Sequence, residues 1–348
     1  GLGLRYGVDL DSRASATIGG TVATDAGGTR VLRHGQTRRQ VTGVELVTGT
    51  GAVISTIGRP ARDNTGYDLT GLACGSEGTL GVLTRVEVRL VPAPAHAVVA
   101  LLRFDDPAAA LGAAEHVPAR LPSAEAVEVF VDAGLRLVCS TFALPTPFPT
   151  VDGGYLLIEA SGDDPPDRLT DALAAVAAGL DGVADVAVAT SAADRDRLWR
   201  YREAHTEAIA RLGPAHKLDV AVPTGSLAAF AAAVPAAVAA VAPEATAWLF
   251  GHGGESTIHV NVTGAPADDE RVDEAVLRLV ADLGGSISAE HGIGRAKRRW
   301  LDLARDSASI AAFEAIKAAF DPDGILNPAV LVAPRPARPF AAADRPAR

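Results

Sequence analysis

The sequence predicts an α+β fold, and three observations carry that prediction. Residues 82–91 and 256–262 alternate apolar and polar side chains with a period of two, as half-buried strands do. Residues 168–180 and 273–283 instead space their apolar residues for one face of a helix. Between about 95 and 190 strand-like and helix-like stretches follow one another, which suits an antiparallel α+β layer.

The elements can be justified in order. Residues 1–92 are rich in Gly and Thr with short β-branched runs. Stretches 44–48 and 52–55, separated by Gly49-Thr50-Gly51, read as a hairpin. The alternating run 82–91 reads as one strand, and Pro92-Ala93-Pro94 as a boundary. Beyond it, 98–104, 126–131, 155–160 and 183–190 read as strands, and 107–115 as a helix. The helix at 168–180 carries Leu169, Leu173, Val176 and Leu180 on one stripe. The remainder looks mostly helical, interrupted by two polar strands. In 256–262, Ile258, Val260 and Val262 share one face; Thr257, His259 and Asn261 share the other. The helix at 273–283 carries Val276, Leu279, Val280 and Leu283 and stops at Gly284-Gly285. The Pro-, Ala- and Arg-rich tail 334–348 is expected to be disordered. No internal repeat is visible.

Composition narrows the function. Of 348 residues 48% are hydrophobic, enough for two or three packed domains. A net charge of −10 without a long basic run argues against nucleic acid as partner. Cys74 and Cys139 are far apart and read as two buried thiols in a reducing compartment. The Ala-rich runs 173–180 and 227–241 are too short and small-sided to span a membrane. No signal peptide is visible, which means little for a chain that starts at Gly1; the expected location is the cytoplasm, with a peripheral place at the inner face of the membrane as a variant. The chain starts at Gly1 and has no Met, so it reads as a fragment or processed product.

The most informative constellation is His252 and His259, in Gly251-His252-Gly253-Gly254-Glu255-Ser256-Thr257-Ile258-His259, with Glu290-His291 downstream. Two imidazoles and a carboxylate are a common ligand set for a catalytic divalent metal with one position left open. A single strand histidine is more often a surface or hydrogen-bonded residue; the pair with Glu290-His291 reverses that preference. His34, His96, His116, His205 and His216 have no motif around them and read as structural. Upstream, Ser15-Ala16-Thr17-Ile18-Gly19-Gly20, Ala23-Thr24-Asp25-Ala26-Gly27-Gly28 and Cys74-Gly75-Ser76-Glu77-Gly78-Thr79-Leu80-Gly81 let backbone approach a flat or phosphorylated ligand. Taken singly, each such loop is more often only a turn, and none fits the nicotinamide-binding glycine pattern.

Together these segments resemble the flavin-binding half-motifs of the vanillyl-alcohol-oxidase type of FAD domain. Arg202 within Leu198-Trp199-Arg200-Tyr201-Arg202-Glu203, the stretches 251–262 and 288–294, and Ile325-Leu326-Asn327-Pro328 resemble the C-terminal domain of FAD-linked oxidases, in the family's order. The similarity covers nearly all of residues 4–332. Within the family it runs toward D-lactate dehydrogenases, the glycolate oxidase large subunit and D-2-hydroxyglutarate dehydrogenase.

The resemblance implies the C-terminal portion of a PCMH-type FAD-binding domain at 1–93, then a ferredoxin-like cap and a C-terminal helical segment within 94–333. It implies that Thr17, Ile18, Gly19, Gly20, Thr24, Gly27, Gly28, Glu77, Gly78, Gly81 and Val82 line FAD, with Asn327 near the flavin ring. Arg202, Thr206 and Lys217 match positions that hold a substrate carboxylate, with Asn261 beside the metal. His252, His259 and Glu290 match metal ligands, and His291 the catalytic base. Zinc is the favoured ion, with manganese, cobalt and iron also suited to this donor set.

The implied reaction oxidises a D-2-hydroxy acid such as D-lactate, glycolate or D-2-hydroxyglutarate to the 2-oxo acid. Its electron acceptor is a quinone, a cytochrome or an electron-transfer flavoprotein, and a homodimer or partner subunit is compatible with the family. Two alternatives stay open: a flavin enzyme for another alcohol, and a truncated flavin-free module that binds metal or a subunit. Three departures stand out. Asp25 replaces the family's Asn. Glu255-Ser256-Thr257 replaces Asp-Gly-Asn between the histidines. The pyrophosphate-binding loop lies upstream of the motifs present, so the chain alone is expected to bind FAD poorly.

Overall fold

The computed structural model describes residues 2–333; the tail expected to be disordered lies outside them. The described chain forms two compact units, each assembled from separate stretches. The larger contains residues 2–14, 27–36 and 90–291, and the smaller 15–26, 37–89 and 292–333.

The larger unit is built on one seven-stranded antiparallel sheet. Its strands are β1 (His96–Phe104), β2 (Ala124–Val131), β3 (Gly154–Gly162), β4 (Val183–Ala189), β5 (Ala215–Ala221), β6 (Thr246–Gly251) and β7 (Thr257–Thr263). They lie side by side in the order β5-β7-β6-β2-β3-β1-β4. The alternation between 95 and 190 accounts for four of them. The other three extend the sheet, so the C-terminal half holds more strand than a mostly helical reading allows. The run from Ala215 to Ala221 has only one alternating polar pair and offers a weak period-two signal.

Both faces of this sheet are covered. Helices α1 (Pro107–Arg120), α3 (Pro166–Ala178), α6 (Leu227–Val241) and α7 (Glu270–Asp282) pack on one face. Beneath them Leu102, Val127, Ile158, Val220, Ile258, Val260 and Val262 are essentially inaccessible. Helices α2 (Asp132–Phe142), α4 (Ala192–Glu203) and α5 (His205–Ala210) cover part of the other face. Their core contains Leu101, Phe130, Tyr155, Leu157, Tyr201 and Phe250. Phe130 stacks on Tyr155 with ring centroids 5.1 Å apart. The inward and outward residues of β7 are those that its alternation assigns, and only the far end of that second face is left for polar side chains.

The smaller unit carries a three-stranded antiparallel sheet in which Val41–Val47 is flanked by Val53–Ser55 and Val82–Val88. The hairpin is therefore present, but the run 82–91 is divided. Its first part pairs with Val41–Val47, whose pairing ends at Val41 opposite Val88. Its last residues, Leu90–Pro92, belong to the larger unit and pair with Leu4–Tyr6. Val22, Val44, Ala73 and Cys74 form the small core. Cys74 is buried, whereas Cys139 is only half-buried, because it lies on the outer part of α2. Among the described residues no helix is long and apolar enough to cross a membrane.

Leu157 is fully buried at the centre of the seven-stranded sheet. Leu157→Ala should cost about 2–5 kcal/mol. A urea unfolding curve that shifts by less than about 1 kcal/mol would show that the site is not a tightly packed core position.

Candidate active site

The sheet of the larger unit lines up the polar residues by register. Asp219 on β5 lies opposite His259 on β7, which lies opposite Phe250 on β6. Phe250 in turn faces Phe130 on β2, and Glu128 is two residues from Phe130 on the same face. Lys217 and Asn261 form the next opposed pair along β5 and β7. His252 follows the end of β6, where a short turn at Gly253–Glu255 leads back into β7. Backbone bonds from Glu255 N and Thr257 N to the His252 carbonyl close that turn. This is how two histidines seven positions apart come to sit edge to face, with ring centroids 5.3 Å apart.

Glu290 meets them from the segment after α7. One donor atom each from His252, His259 and Glu290 lies within 4.8 Å of the other two. Glu290 Oε1 is 3.7 Å from His252 Nε2 and 3.8 Å from His291 Nε2. The donor set therefore fits a divalent cation with two imidazoles and one carboxylate. Asp219, Glu290 and His291 form a second group within the same distance, so His291 has the reach of a ligand as well as of a base. Its side chain is 56% exposed, which leaves it open to an incoming molecule.

The glycine pair expected to line a flavin lies against Glu290 in this unit. Gly28 N donates to Glu290 Oε2 at 2.9 Å. A Cβ on Gly27 would lie 2.8 Å from the same oxygen, so only glycine permits that approach. Gly28 also has φ +85°, and a Cβ there would meet the Asp9 carbonyl at 2.0 Å. Gly27, Gly28, Gln36, His252, Glu255 and Glu290 help to line a cleft of about 240 Å³.

Two buried carboxylates support the histidines, and neither was singled out from sequence. Glu128 accepts a hydrogen bond from His252 Nδ1 at 2.7 Å, and its other oxygen is 2.7 Å from Arg202 Nε. Asp219 Oδ2 accepts from the backbone N–H of Glu290 at 2.7 Å and of His291 at 3.2 Å. Its Oδ1 is 3.5 Å from His259 Nδ1. Metal-binding histidines commonly turn their second nitrogen to such a group. A signal for Glu128 exists in the sequence: it is a lone charge in the apolar run Ala126-Val127-Glu128-Val129-Phe130. For Asp219 the signal is its alternation with Lys217, which becomes informative only once the stretch is recognised as a strand.

The protonation states follow from these neighbours. Burial disfavours charge on His252, but Glu128 outweighs it and raises the imidazole well above its ordinary value. Burial, with the positive charge of His252 and Arg202, lowers His259 well below its own, leaving it neutral. Burial opposes ionisation of Glu290, yet His252 and the Gly28 N–H hold its carboxyl below the usual range. Glu255 is different. Burial pushes it up to about 8, and its Oε1 is enclosed without a hydrogen-bond partner.

Arg202, on α4, is buried and its guanidinium lies 4.9 Å over the Phe250 ring. Asn261 is buried, while Lys217 and Thr206 are exposed. Of the histidines read as structural, His205 is enclosed with Nδ1 on the Arg202 carbonyl. His216 sits between Asp273 and the Pro266 carbonyl, and His34 against Glu125.

The other residues expected around a flavin belong to the smaller unit. Thr17 Oγ1 caps the helix Ile18–Thr24 by accepting from Gly20 N, and Thr24 Oγ1 donates to the Gly20 carbonyl. Glu77 N donates to the Ala23 carbonyl, which joins the two Gly-rich segments. The Glu77 carboxylate accepts from Ile293 N and Gly294 N at 2.9 and 2.6 Å, and Asn327 Nδ2 donates to its carbonyl. A Cβ on Gly78 would lie 3.5 Å from Asn327 Nδ2, whereas one on Gly19 would meet nothing within 4 Å. Gly81 packs against Leu46, and Ile18 and Val82 are exposed apolar residues beside these loops. Open glycine backbone with adjacent exposed apolar groups suits contact with a flat cofactor such as FAD. Asp25, in place of the family's Asn, is in the left-handed region at φ 52° and accepts from Arg38 N at 2.8 Å.

Comparison with known proteins places the chain in a family. Residues 93–331 match the description "FAD linked oxidases, C-terminal domain", and residues 2–57 match "FAD binding domain". A D-2-hydroxyglutarate dehydrogenase of Xanthomonas citri pv. viticola is 36% identical over 340 residues, covering 94% of this chain and 71% of the relative. Glycolate oxidase subunit GlcD of Bacillus subtilis is 34% identical, covering 99% of this chain and 73% of the relative. The mitochondrial D-2-hydroxyglutarate dehydrogenase of Danio rerio is 33% identical, and the chain spans 61% of its length. In fold, the 4-ethylphenol oxidase of Gulosibacter chungangensis is similar at a TM-score of 0.69 and 18% identity, over 95% of this chain and 72% of that structure.

Two outcomes test the local electrostatics. Asp219→Ala removes the acceptor for the Glu290 and His291 amides. Their hydrogen exchange should accelerate by at least about tenfold, the equivalent of about 1.4 kcal/mol; unchanged protection would mean the carboxylate is dispensable there. In the metal-free chain, folded Glu255 keeps its proton up to about 8, while the unfolded carboxyl loses it near its ordinary 4.5. The folded state binds the extra proton across that window, so this residue's contribution to stability falls as pH rises through it. Urea midpoints of Glu255→Gln should fall less with pH over that window than those of wild type, and parallel curves would contradict the assignment.

Proposed function

The chain belongs to the FAD-linked oxidase family, and from that premise we propose that it oxidises a D-2-hydroxy acid to the 2-oxo acid. The observation that carries the proposal is the convergence of His252, His259 and Glu290 within 4.8 Å, with His291 Nε2 3.8 Å from Glu290 Oε1. That set pairs a cation site with an exposed imidazole, the two things needed to remove a proton from an alcohol beside a carboxylate. The names of the relatives, a D-2-hydroxyglutarate dehydrogenase and a glycolate oxidase subunit, support the same substrate class.

His252, His259 and Glu290 would hold the divalent cation, zinc by preference for this donor set. Thr17, Ile18, Gly19, Gly20, Thr24, Gly27, Gly28, Glu77, Gly78, Gly81, Val82 and Asn327 would hold FAD. When bound, the cation supplies Lewis acidity to the 2-hydroxyl oxygen and FAD supplies an acceptor for the C2 hydride. The chain's own residues do the rest. His291 takes the hydroxyl proton on a ring nitrogen. Arg202 grips a substrate carboxylate through its terminal nitrogens, and Lys217 and Thr206 add a point charge and a hydroxyl. Asn261, beside His259 on β7, orients the substrate oxygens. Electrons would leave to a quinone, a cytochrome or an electron-transfer flavoprotein.

The test is a visible absorption spectrum of the purified chain with added FAD, before and after anaerobic addition of D-lactate or D-2-hydroxyglutarate. With FAD in large excess, to offset the weak binding expected without the upstream loop, flavin that bleaches with either acid is the expected result. Bound flavin that bleaches with neither would overturn the 2-hydroxy-acid reading. His291→Ala should lower turnover by about 10²–10⁴-fold while flavin stays bound, and undiminished turnover would remove His291 as the base.

A further inference from the structure

We propose that Glu128 is a positioning residue that builds the cation site and the carboxylate grip as one unit, by holding His252 with one oxygen and Arg202 with the other. The inference deepens the 2-hydroxy-acid reading and rests on it. Glu128 comes from β2, His252 from the turn after β6, and Arg202 from α4, so one side chain joins three separate elements. It is 1% exposed, and an unpaired carboxylate at that depth would be strongly destabilising. One oxygen accepts a hydrogen bond from His252 Nδ1 at 2.7 Å, and the other forms an ion pair with Arg202, 2.7 Å from Nε but off the line of a hydrogen bond.

The consequences for the two donors differ. A hydrogen bond from His252 Nδ1 places the ring proton on that nitrogen. Nε2, which points toward Glu290 Oε1 at 3.7 Å, is then the nitrogen left to accept a cation. Arg202 spends only Nε on Glu128, and its terminal nitrogens make no hydrogen bond among the described residues. With its Nε edge ion-paired to Glu128 and its face over Phe250, the guanidinium plane is set by two constraints and keeps its paired donors for a carboxylate. Both roles require an acceptor on each side of residue 128, which a carboxylate offers and an amide does not.

Glu128→Gln tests this with little change in volume. If the amide oxygen faces Arg202, the NH₂ group faces His252 and drives the ring proton onto Nε2, blocking that ligand. If the oxygen faces His252, two donors confront each other at Arg202. Alternation between the two states weakens both functions. The measurements are the affinity for Co²⁺, by chelator competition and its visible bands, and the affinity of the metal-free chain for malonate by calorimetry. Unfolding curves accompany both. The expected result is about a 10–100-fold loss for Co²⁺ and at least about a tenfold loss for malonate, with a cooperative unfolding transition retained.

Wild-type affinity for both probes overturns the proposal, and loss of only one overturns the shared role. A merely structural residue would shift the unfolding curve and leave Co²⁺ binding unchanged. Should Glu128→Gln not fold, Glu128→Asp keeps the charge but is too short to span both partners. It should lose affinity for at least one probe, and wild-type values for both again overturn the proposal. A wild-type chain with no affinity for Co²⁺ removes the cation centre itself, and the inference with it; a wild-type chain that binds Co²⁺ while Glu128→Gln binds it equally removes the inference alone.

Discussion

The register of β7 is the constraint on which the site depends. Its side chains alternate between a face closed by α6 and α7 and a face that carries His259 and Asn261. A slip of one residue against β5 and β6 would bury both polar groups under helices and expose Ile258, Val260 and Val262. The three valine and isoleucine side chains therefore do more than fill a core. Burying them costs the alternative registers several kilocalories per mole, at roughly 1.5–3 kcal/mol for each large aliphatic side chain. The position of His259 opposite Asp219 is thus enforced by apolar residues that never touch it.

Charge completes what register begins. With Glu128, Asp219 and Glu290 counted as carboxylates, three negative groups stand with one buried permanent cation, Arg202, while Lys217 lies exposed opposite Asn261. His259 is neutral, and His252 carries a proton only while nothing else occupies its Nε2 side. Replacing that proton with a divalent ion leaves two carboxylate charges beyond Arg202 to be balanced, which the ion's own charge does. The buried groups alone therefore carry a charge that a dication would balance. Burial matters here because it raises the penalty for any imbalance.

Much of the fold could be read from the sequence, and the limits have physical causes. The largely apolar run 98–104, the alternating stretch 183–190 and the helix stripe of Leu169, Leu173 and Val176 are strong local signals and lie close to their observed bounds. β5 was obscured because its polar residues fall on both faces, His216 on one and Lys217 and Asp219 on the other, and β6 because its apolar residues do. The split of 82–91 depends on partners elsewhere in the chain, which no local pattern contains. In the site, His252 and Glu290-His291 were legible beside glycines, and His259 from its place on the polar face of an alternating strand. Glu128 and Asp219 act from behind the histidines, one strand away in space and tens of residues away in sequence. Nothing in their own surroundings tells which histidine each will face.

The loop between the histidines carries Glu255-Ser256-Thr257 where the family is expected to have Asp-Gly-Asn. Ser256 stands where the family has Gly, and it adopts φ 53°, the left-handed conformation in which glycine is unstrained. For a residue with a Cβ this costs about 1–2 kcal/mol. Ser256 Oγ donates to Glu115 Oε1 at 2.6 Å, and Glu115 also accepts from Gly225 N at 2.9 Å. A buried hydrogen bond to a charged acceptor contributes about 1.5–3 kcal/mol, enough to offset the strain. The hydroxyl that replaces a hydrogen atom thus ties the turn to α1 and to the loop before α6. Glu255 extends the same substitution by one methylene beyond Asp, which carries its carboxyl into the enclosed space beside His252 and leaves Oε1 without a partner. The two residues act differently: Ser256 holds the turn between His252 and His259 through its hydrogen bond to Glu115, while Glu255 adds a carboxyl that burial keeps protonated at neutral pH.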